Sequence, residues 1–381
     1  MRVRPTVSEK QISAALLACV RYEVDEAGIR GAVSNVDPVE LARAAGFHGV
    51  APLVQHRLTR LELPVDPQLA ATYREQLFRH LIVMAELREI GAVLTEAGVG
   101  WLVFKGPVLA AAYERDDLRS YSDVDLLVDR HRLAEALDIL YSAGCSQVDR
   151  NWPMINAQTR GEMSLSMRSG IALDLHWAFV CESRTRLALH VPVEAMLSRS
   201  VTRVVSDVSL QTLEPHDELA YVALHAILSG GHRLVWLVDM DRLVRARSLD
   251  WVEVVEAARR NGLSLPLAIM LDRARRYLGT DVPPAVTRSL AAGLGWRGLM
   301  RAVDAVRSPV GSFAGGMSGR IFAQSFRGTT GATAVGLFQE VLDRLGRQRA
   351  VAWASNPLHE DVPDALARQD YLSRVMSKAV V

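Results

Sequence analysis

The segment that most constrains this chain is Ser122-Asp123-Val124-Asp125-Leu126-Leu127-Val128. It reads as a β-strand with carboxylates at i and i+2. A strand sends alternate side chains to opposite faces, so Asp123 and Asp125 share one face. Val124, Leu126 and Val128 share the other and ask for a core there. Two like charges side by side are costly unless a cation sits between them. A hard divalent ion is the simplest solution, and Mg²⁺ is the usual partner of paired carboxylates and phosphates. One short stretch thus implies both a buried strand and a cation-seeking face.

Ahead of it lies Phe104-Lys105-Gly106-Pro107. Val99 to Phe104 is a short apolar run of strand type, Lys105-Gly106 is a turn, and Pro107 suits the first turn of a helix that Val108–Glu114 would continue. The lysine is unusual for this chain, which has forty-one arginines and only Lys10, Lys105 and Lys378. An ammonium is a compact point charge, unlike a guanidinium fork, and that suits a phosphate oxygen. The plain alternative is a surface lysine in a turn.

The rest of the composition excludes more than it selects. At 381 residues the chain has room for two or three domains. A net charge of +1 gives no argument for nucleic acid, membrane or an acidic partner. Aromatics are few, and no basic stripe supports base-specific nucleic-acid binding. Cys19, Cys145 and Cys181 lack metal-ligand spacing and read as reduced small hydrophobes of a cytoplasmic protein. No apolar run approaches a membrane span. Arg2 and Arg4 precede the apolar Ile12–Cys19, but that run is short and Arg21, Glu23, Asp25 and Glu26 follow it, so an amphipathic helix is expected there.

Apolar spacing predicts helices over residues 8 to about 90, interrupted by Pro38, Pro52, Pro64 and Pro67. Asp116-Asp117 reads as a loop. Asp129 is expected to cap a helix at about 130–143 that Gly144 closes. Glu162–Met167 and Ile171–Ala178 alternate around a Ser169-Gly170 turn and predict a hairpin. On its second strand Ala172, Asp174 and His176 share one face. Ser200–Val205 and Ser209–Leu213 suggest another hairpin. Helices are expected from His216 to about 300, a Gly-, Ser-, Thr- and Ala-rich segment over 311–336, a helix at about 337–350 and then a tail.

The order of these elements resembles the polymerase-β-type nucleotidyltransferase superfamily. It is most similar to an uncharacterised nucleotidyltransferase family of bacteria. The resemblance is carried by Lys105-Gly106, by Arg119 ahead of Asp123 to Val128, and by Asp174-Leu175-His176-Trp177. It continues as Leu224-His225 and Leu237-Val238-Asp239, and it covers about residues 35–285.

It implies an α/β (α+β) fold, a small mixed β-sheet nucleotidyltransferase core between helical N-terminal and C-terminal regions. The expected division is 1–95, 96–215, 216–310 and 311–381. It implies a transferase that moves an NMP from an NTP, ATP by default, to an acceptor hydroxyl on a small molecule, peptide, protein or RNA end. Asp123, Asp125 and Asp174 are the expected catalytic residues and ligands of two Mg²⁺ ions, with Mn²⁺ as a possible substitute. Lys105, Gly106 and Arg119 are the expected nucleotide contacts. His176 is expected to orient Asp174 or touch the acceptor. The superfamily more often has Gly-Ser or Gly-Gly at the turn, so Lys-Gly-Pro leaves room for a different phosphorylated donor.

Plainer readings stand beside these. Arg119 is equally a salt-bridge partner of Asp116, Asp117 or a site aspartate. Asp174 could be the polar face of a hairpin, and His176 a structural residue. Functional alternatives are a catalytically weak nucleotide-binding scaffold of the same fold and a metal-dependent phosphohydrolase. Trp236-Leu237-Val238-Asp239-Met240-Asp241 looks like a second Asp-x-Asp strand, but its surroundings repeat at helical spacing, which would point Asp239 and Asp241 apart. His225 and His232 with Asp239 lack the spacing of a metal-hydrolase motif.

Overall fold

A computed structural model describes residues 7–189, 191–290, 298, 300–302, 304–305, 308–311 and 357–377. It shows a mixed α/β protein. Five helices come first: α1 (Val7–Val20), α2 (Glu26–Val33), α3 (Pro38–Phe47), α4 (Ala51–Arg60) and the long α5 (Pro67–Glu96). Then follow β1 (Trp101–Val103), the single turn α6 (Pro107–Ala110), β2 (Asp123–Val128), α7 (Leu133–Ser142), β3 (Ser146–Gln147) and α8 (Trp152–Gln158). After β4 (Glu162–Ser166) and β5 (Ala172–His176) come α9 (Ser183–Ala188), α10 (Val193–Ser198), β6 (Val201–Val205) and β7 (Val208–Thr212). The remaining helices are α11 (Pro215–Leu228), α12 (Leu234–Ala246), α13 (Trp251–Arg260), α14 (Ser264–Leu278), α15 (Pro284–Ser289) and α16 (Ala365–Met376).

Three of the four prolines that interrupt the N-terminal sequence act as helix starters, while Pro64 lies in the loop before α5. Pro38 is at the start of α3 behind the N-cap Asp37, whose carboxylate accepts the N–H of Val39. Pro52 lies in the first turn of α4, and Pro67 opens α5. Proline fits there because its missing N–H is one the helix leaves unpaired anyway. The helix expected to run to Glu114 stops as the four-residue α6, and Asp116–Leu118 forms a 3₁₀ turn. The 311–336 segment beyond Gly311 and the helix at 337–350 lie outside the described residues. The expected tail contains α16.

The chain forms two compact units, interleaved along the sequence. One holds residues 7–78, Leu109–Tyr121 and Pro215 to 311. Its core gathers Leu16, Leu41, Leu53, Leu58, Leu237 and Leu271 with many neighbours. On α12 the two aspartates point to different partners, as helical spacing requires. Asp239 receives a fork from Arg119, Nε to Oδ1 at 2.7 Å and Nη2 to Oδ2 at 2.9 Å, and the Tyr113 hydroxyl donates to it at 2.8 Å. Asp241 accepts from Arg242, Arg245 and Thr280. His225 and His232 meet the Trp236 ring edge-on, at centroid distances of 6.1 and 5.4 Å.

The other unit holds Arg79–Val108, Ser122–Glu214 and 357–377. Its five-stranded sheet has the order β1-β2-β5-β4-β3. β2 and β5 are parallel, and the other neighbours are antiparallel. A separate hairpin joins β6 to β7. β1 lies close to α5, where Gly91 leaves room for the Trp101 ring. A Cβ at Gly91 would stand 2.8 Å from that ring. α16 closes the far end of β5: buried Tyr371 donates its hydroxyl to the Arg160 carbonyl at 2.7 Å and accepts the Trp177 Nε1–H at 2.8 Å. Cys19, Cys145 and Cys181 are free thiols. Among the described residues no helix is long and apolar enough to cross a membrane.

The Arg119–Asp239 pair is buried on both sides. Removing one partner of such a pair strands the other charge in a dry interior. Asp239→Ala is expected to destabilise the protein by about 3–5 kcal/mol in urea denaturation. An unchanged midpoint would show that the fork is not a structural link.

Candidate active site

The polar face of the sheet follows from register. Asp125 of β2 and Asp174 of β5 are direct Cα partners, and Ser164 of β4 stands opposite Asp174. The next row is Leu127, His176 and Glu162, and the row before is Asp123, Ala172 and Ser166. The opposite face alternates with it: Val124, Leu173 and Leu165 form one row and Leu126, Leu175 and Met163 another, all buried. The apolar rows anchor the strands, so the polar rows cannot slip without exposing a core.

Lys105 enters from the turn after β1. Gly106 takes the left-handed conformation there, with φ of 55°, which glycine adopts without strain. The Phe104 N–H reaches the Asp125 carbonyl at 3.4 Å. Lys105 Nζ forms an ion pair with Asp125 Oδ1. His176 Nε2 meets the same oxygen at 3.2 Å. Its Nδ1 faces the Ala178 carbonyl at 3.2 Å and Glu162 Oε2 at 3.5 Å. The Phe104 ring packs edge-on against the imidazole, 5.0 Å between centroids. Ser164 donates its hydroxyl to Asp174 Oδ1 at 2.8 Å, and Ser122 donates to Asp123 at 3.3 Å.

These contacts set the charges. Both ring nitrogens of His176 face acceptors, the Asp125 carboxylate on one side and the Ala178 carbonyl on the other, an arrangement that favours the protonated ring. Burial opposes that charge, but the hydrogen bond and charge of Asp125 outweigh it and raise the pKa. For Asp125, burial pushes the carboxyl up, and Lys105 and His176 together pull it well below the usual carboxylate range. Among the described residues no cation is paired directly with Asp174, and His176 lowers it only through its charge. Burial, and then the charge of Asp125, push it to about 6, against the pull of Ser164.

The structure therefore brings Lys105, Gly106, Asp123, Asp125, Asp174 and His176 together in the sheet unit. Arg119 belongs to the helical unit, where its fork is on Asp239. His176 pairs with Asp125, whereas its strand face alone suggested Asp174. Ser164 and Glu162 were not anticipated as site residues. Their signal was the alternation of Glu162–Met167, which places both on the polar face.

Asp123, Asp125 and Asp174 offer oxygen donors only, the set a hard cation takes. Asp125 and Asp174 stand side by side across adjacent strands, a pair of carboxyls that fits a cation of that kind. Among the described residues no three His, Cys, Asp or Glu side chains are already gathered as a metal-holding group.

The profile of a family described as uncharacterised nucleotidyltransferase matches residues 34–279. The chain belongs to this family. The match takes in every residue of the constellation above. Its general class is that of a nucleotidyltransferase. No curated protein matches the sequence. Among solved structures, the chain is similar to an antigenic nucleotidyltransferase-like protein from Paracoccidioides brasiliensis, at 13% identity. That likeness has a TM-score of 0.34 and covers 55% of this chain and 92% of the other.

The opposite shifts of the two carboxyls predict opposite stability effects in metal-free protein. Asp174 binds its proton more tightly folded than unfolded, so its contribution favours the fold at low pH and is lost as pH rises from about 4 through about 6. Asp125 is depressed, so its contribution is present above the ordinary carboxylate value and fades as pH falls through its folded value. Asp174→Asn should raise the thermal midpoint at pH 7.5 by about 2–4 °C, with the gain gone at pH 4. Asp125→Asn should lower the midpoint at pH 7.5. Midpoints that move together would contradict this charge assignment.

Proposed function

We propose that this protein is a Mg²⁺-dependent nucleotidyltransferase that moves a nucleoside monophosphate from an NTP to an acceptor hydroxyl, releasing pyrophosphate. The observation that carries the reading is the Asp125–Asp174 pair in register across parallel strands, with Asp123 two residues away and Lys105 at the glycine turn. Membership of the nucleotidyltransferase family supports the same chemistry.

Nucleotidyl transfer asks little covalent work of the protein. It asks for in-line positioning and for cations that neutralise the attacking and leaving oxygens. In this reading Asp123, Asp125 and Asp174 would hold two Mg²⁺ ions. When bound, the ions supply Lewis-acid stabilisation of the charge on those oxygens.

The chain's own residues account for the remaining steps. Lys105 releases Asp125 and neutralises β- and γ-phosphate oxygens, an exchange that suits a point charge on a flexible stem. Gly106, lacking a side chain, lets the backbone approach the triphosphate. The acceptor oxygen attacks the α-phosphorus, and the bond from that phosphorus to the bridging oxygen breaks. The electron pair leaves with pyrophosphate. Asp174 takes the hydroxyl proton as the general base. Arg119 receives no phosphate role here, because Asp239 holds its fork. ATP is the default donor. The acceptor hydroxyl belongs to a small molecule, a peptide, a protein or an RNA end.

Calorimetric titration of the four NTPs with Mg²⁺ tests the reading without an acceptor. Wild type should bind at least one NTP saturably, and Asp123→Ala/Asp125→Ala should weaken it by about 100-fold or more, some 2.7 kcal/mol. Equal affinity in the two proteins would remove the carboxylates from the site.

A further inference from the structure

We propose that His176 and Ser164 are positioning residues, each pinning one carboxylate oxygen so that the other is presented to a cation. This rests on the reading of Asp125 and Asp174 as cation ligands and says how the sheet aims them. On Asp125, Lys105 and His176 both make their closest approach to Oδ1. On Asp174, Ser164 donates to Oδ1 as well. With Oδ1 held in each case, Oδ2 is the oxygen each side chain offers. Carboxylates that ligate metals are commonly hydrogen-bonded in this way, and the bond fixes their rotamer before the ion arrives.

Three features make His176 more than a packed ring. It is 3% exposed, so its contact with Asp125 is shielded from solvent. Its far nitrogen is held by the Ala178 carbonyl and lies 3.5 Å from Glu162, so the ring cannot rotate without losing two partners. The Phe104 edge closes its flank. Lys105 is different: it is an ammonium on a four-carbon stem that pairs with the same oxygen, and the proposed reaction needs it elsewhere. When Lys105 leaves, His176 is the donor that still holds Asp125. Ser164 does the equivalent for Asp174 from the neighbouring strand, where the two residues are register partners.

The test uses Mn²⁺ alone, titrated calorimetrically into the full chain. His176→Leu removes the N–H and keeps an apolar group against Phe104. His176→Gln keeps an N–H where Nε2 stands. Ser164→Ala and Ser164→Thr form the matching pair. Loss of a supporting partner should weaken Mn²⁺ binding about 10–100-fold in His176→Leu and Ser164→Ala. The Gln and Thr variants should stay within about threefold of wild type. Thermal midpoints without metal identify any variant that fails to fold. If His176→Leu does so, the Gln variant and the serine pair decide.

Binding that is unchanged in both His176→Leu and Ser164→Ala would overturn the proposal and leave the metal reading intact. Conservative variants as defective as the drastic ones would overturn it too, because packing rather than the hydrogen bond would then matter. A wild type that binds no Mn²⁺ would overturn both this proposal and the metal reading.

Discussion

The polar face of the sheet depends on one carboxylate taken out of water. Asp125 is 3% exposed and ionised, a state that an interior tolerates only with paired charge and hydrogen bonds. Lys105 and His176 supply both, on a single oxygen. The pairing ties together three pieces of chain: the turn after β1, the middle of β2 and the end of β5. The contrast with Asp174 follows: burial and the charge of Asp125 push that carboxyl up to about 6. Two carboxyls facing each other in register are thus shifted in opposite directions.

Much of this face could be read from the residues. β4 and β5 alternate strictly, and β2 does so from Asp123 to Leu126, because one side of each strand is buried in the core; that alternation put Asp123, Asp125, Asp174 and His176 on predictable sides. The glycine turn with Lys105 was equally visible. Register was not. Nothing local says that β2 and β5 are parallel neighbours, or that Asp125 rather than Asp123 faces Asp174; those facts come from the order of strands in the sheet. The partner of His176 changed for the same reason, and Ser164 and Glu162 joined the site only once β4 was placed beside β5.

Two local readings failed on identifiable grounds. The helix expected over Val108–Glu114 has good apolar spacing but ends after one turn; Tyr113 is committed to Asp239 and Arg115 to Asp117, contacts made by residues off any helix. α16 was missed although Asp364 caps it and Ala367, Tyr371 and Val375 repeat at helical spacing. Its anchor, the Tyr371–Trp177 bond, joins positions 194 residues apart. The uneven use of basic residues also gains a physical sense. Arg119 is a rigid fork locked on a buried carboxylate, a structural part. Lys105 is a point charge on one oxygen of Asp125.

The most direct test of the central claim follows the phosphorus. An NTP labelled at the α- or the γ-phosphate is incubated with the protein, Mg²⁺ and fractionated acceptors bearing hydroxyl groups. The account predicts that α-label moves onto an acceptor while γ-label leaves as pyrophosphate, and that Asp125→Asn does neither. Label from the γ-phosphate appearing as orthophosphate or on the acceptor would contradict it, since the bond broken would then be the one a hydrolase or a kinase breaks.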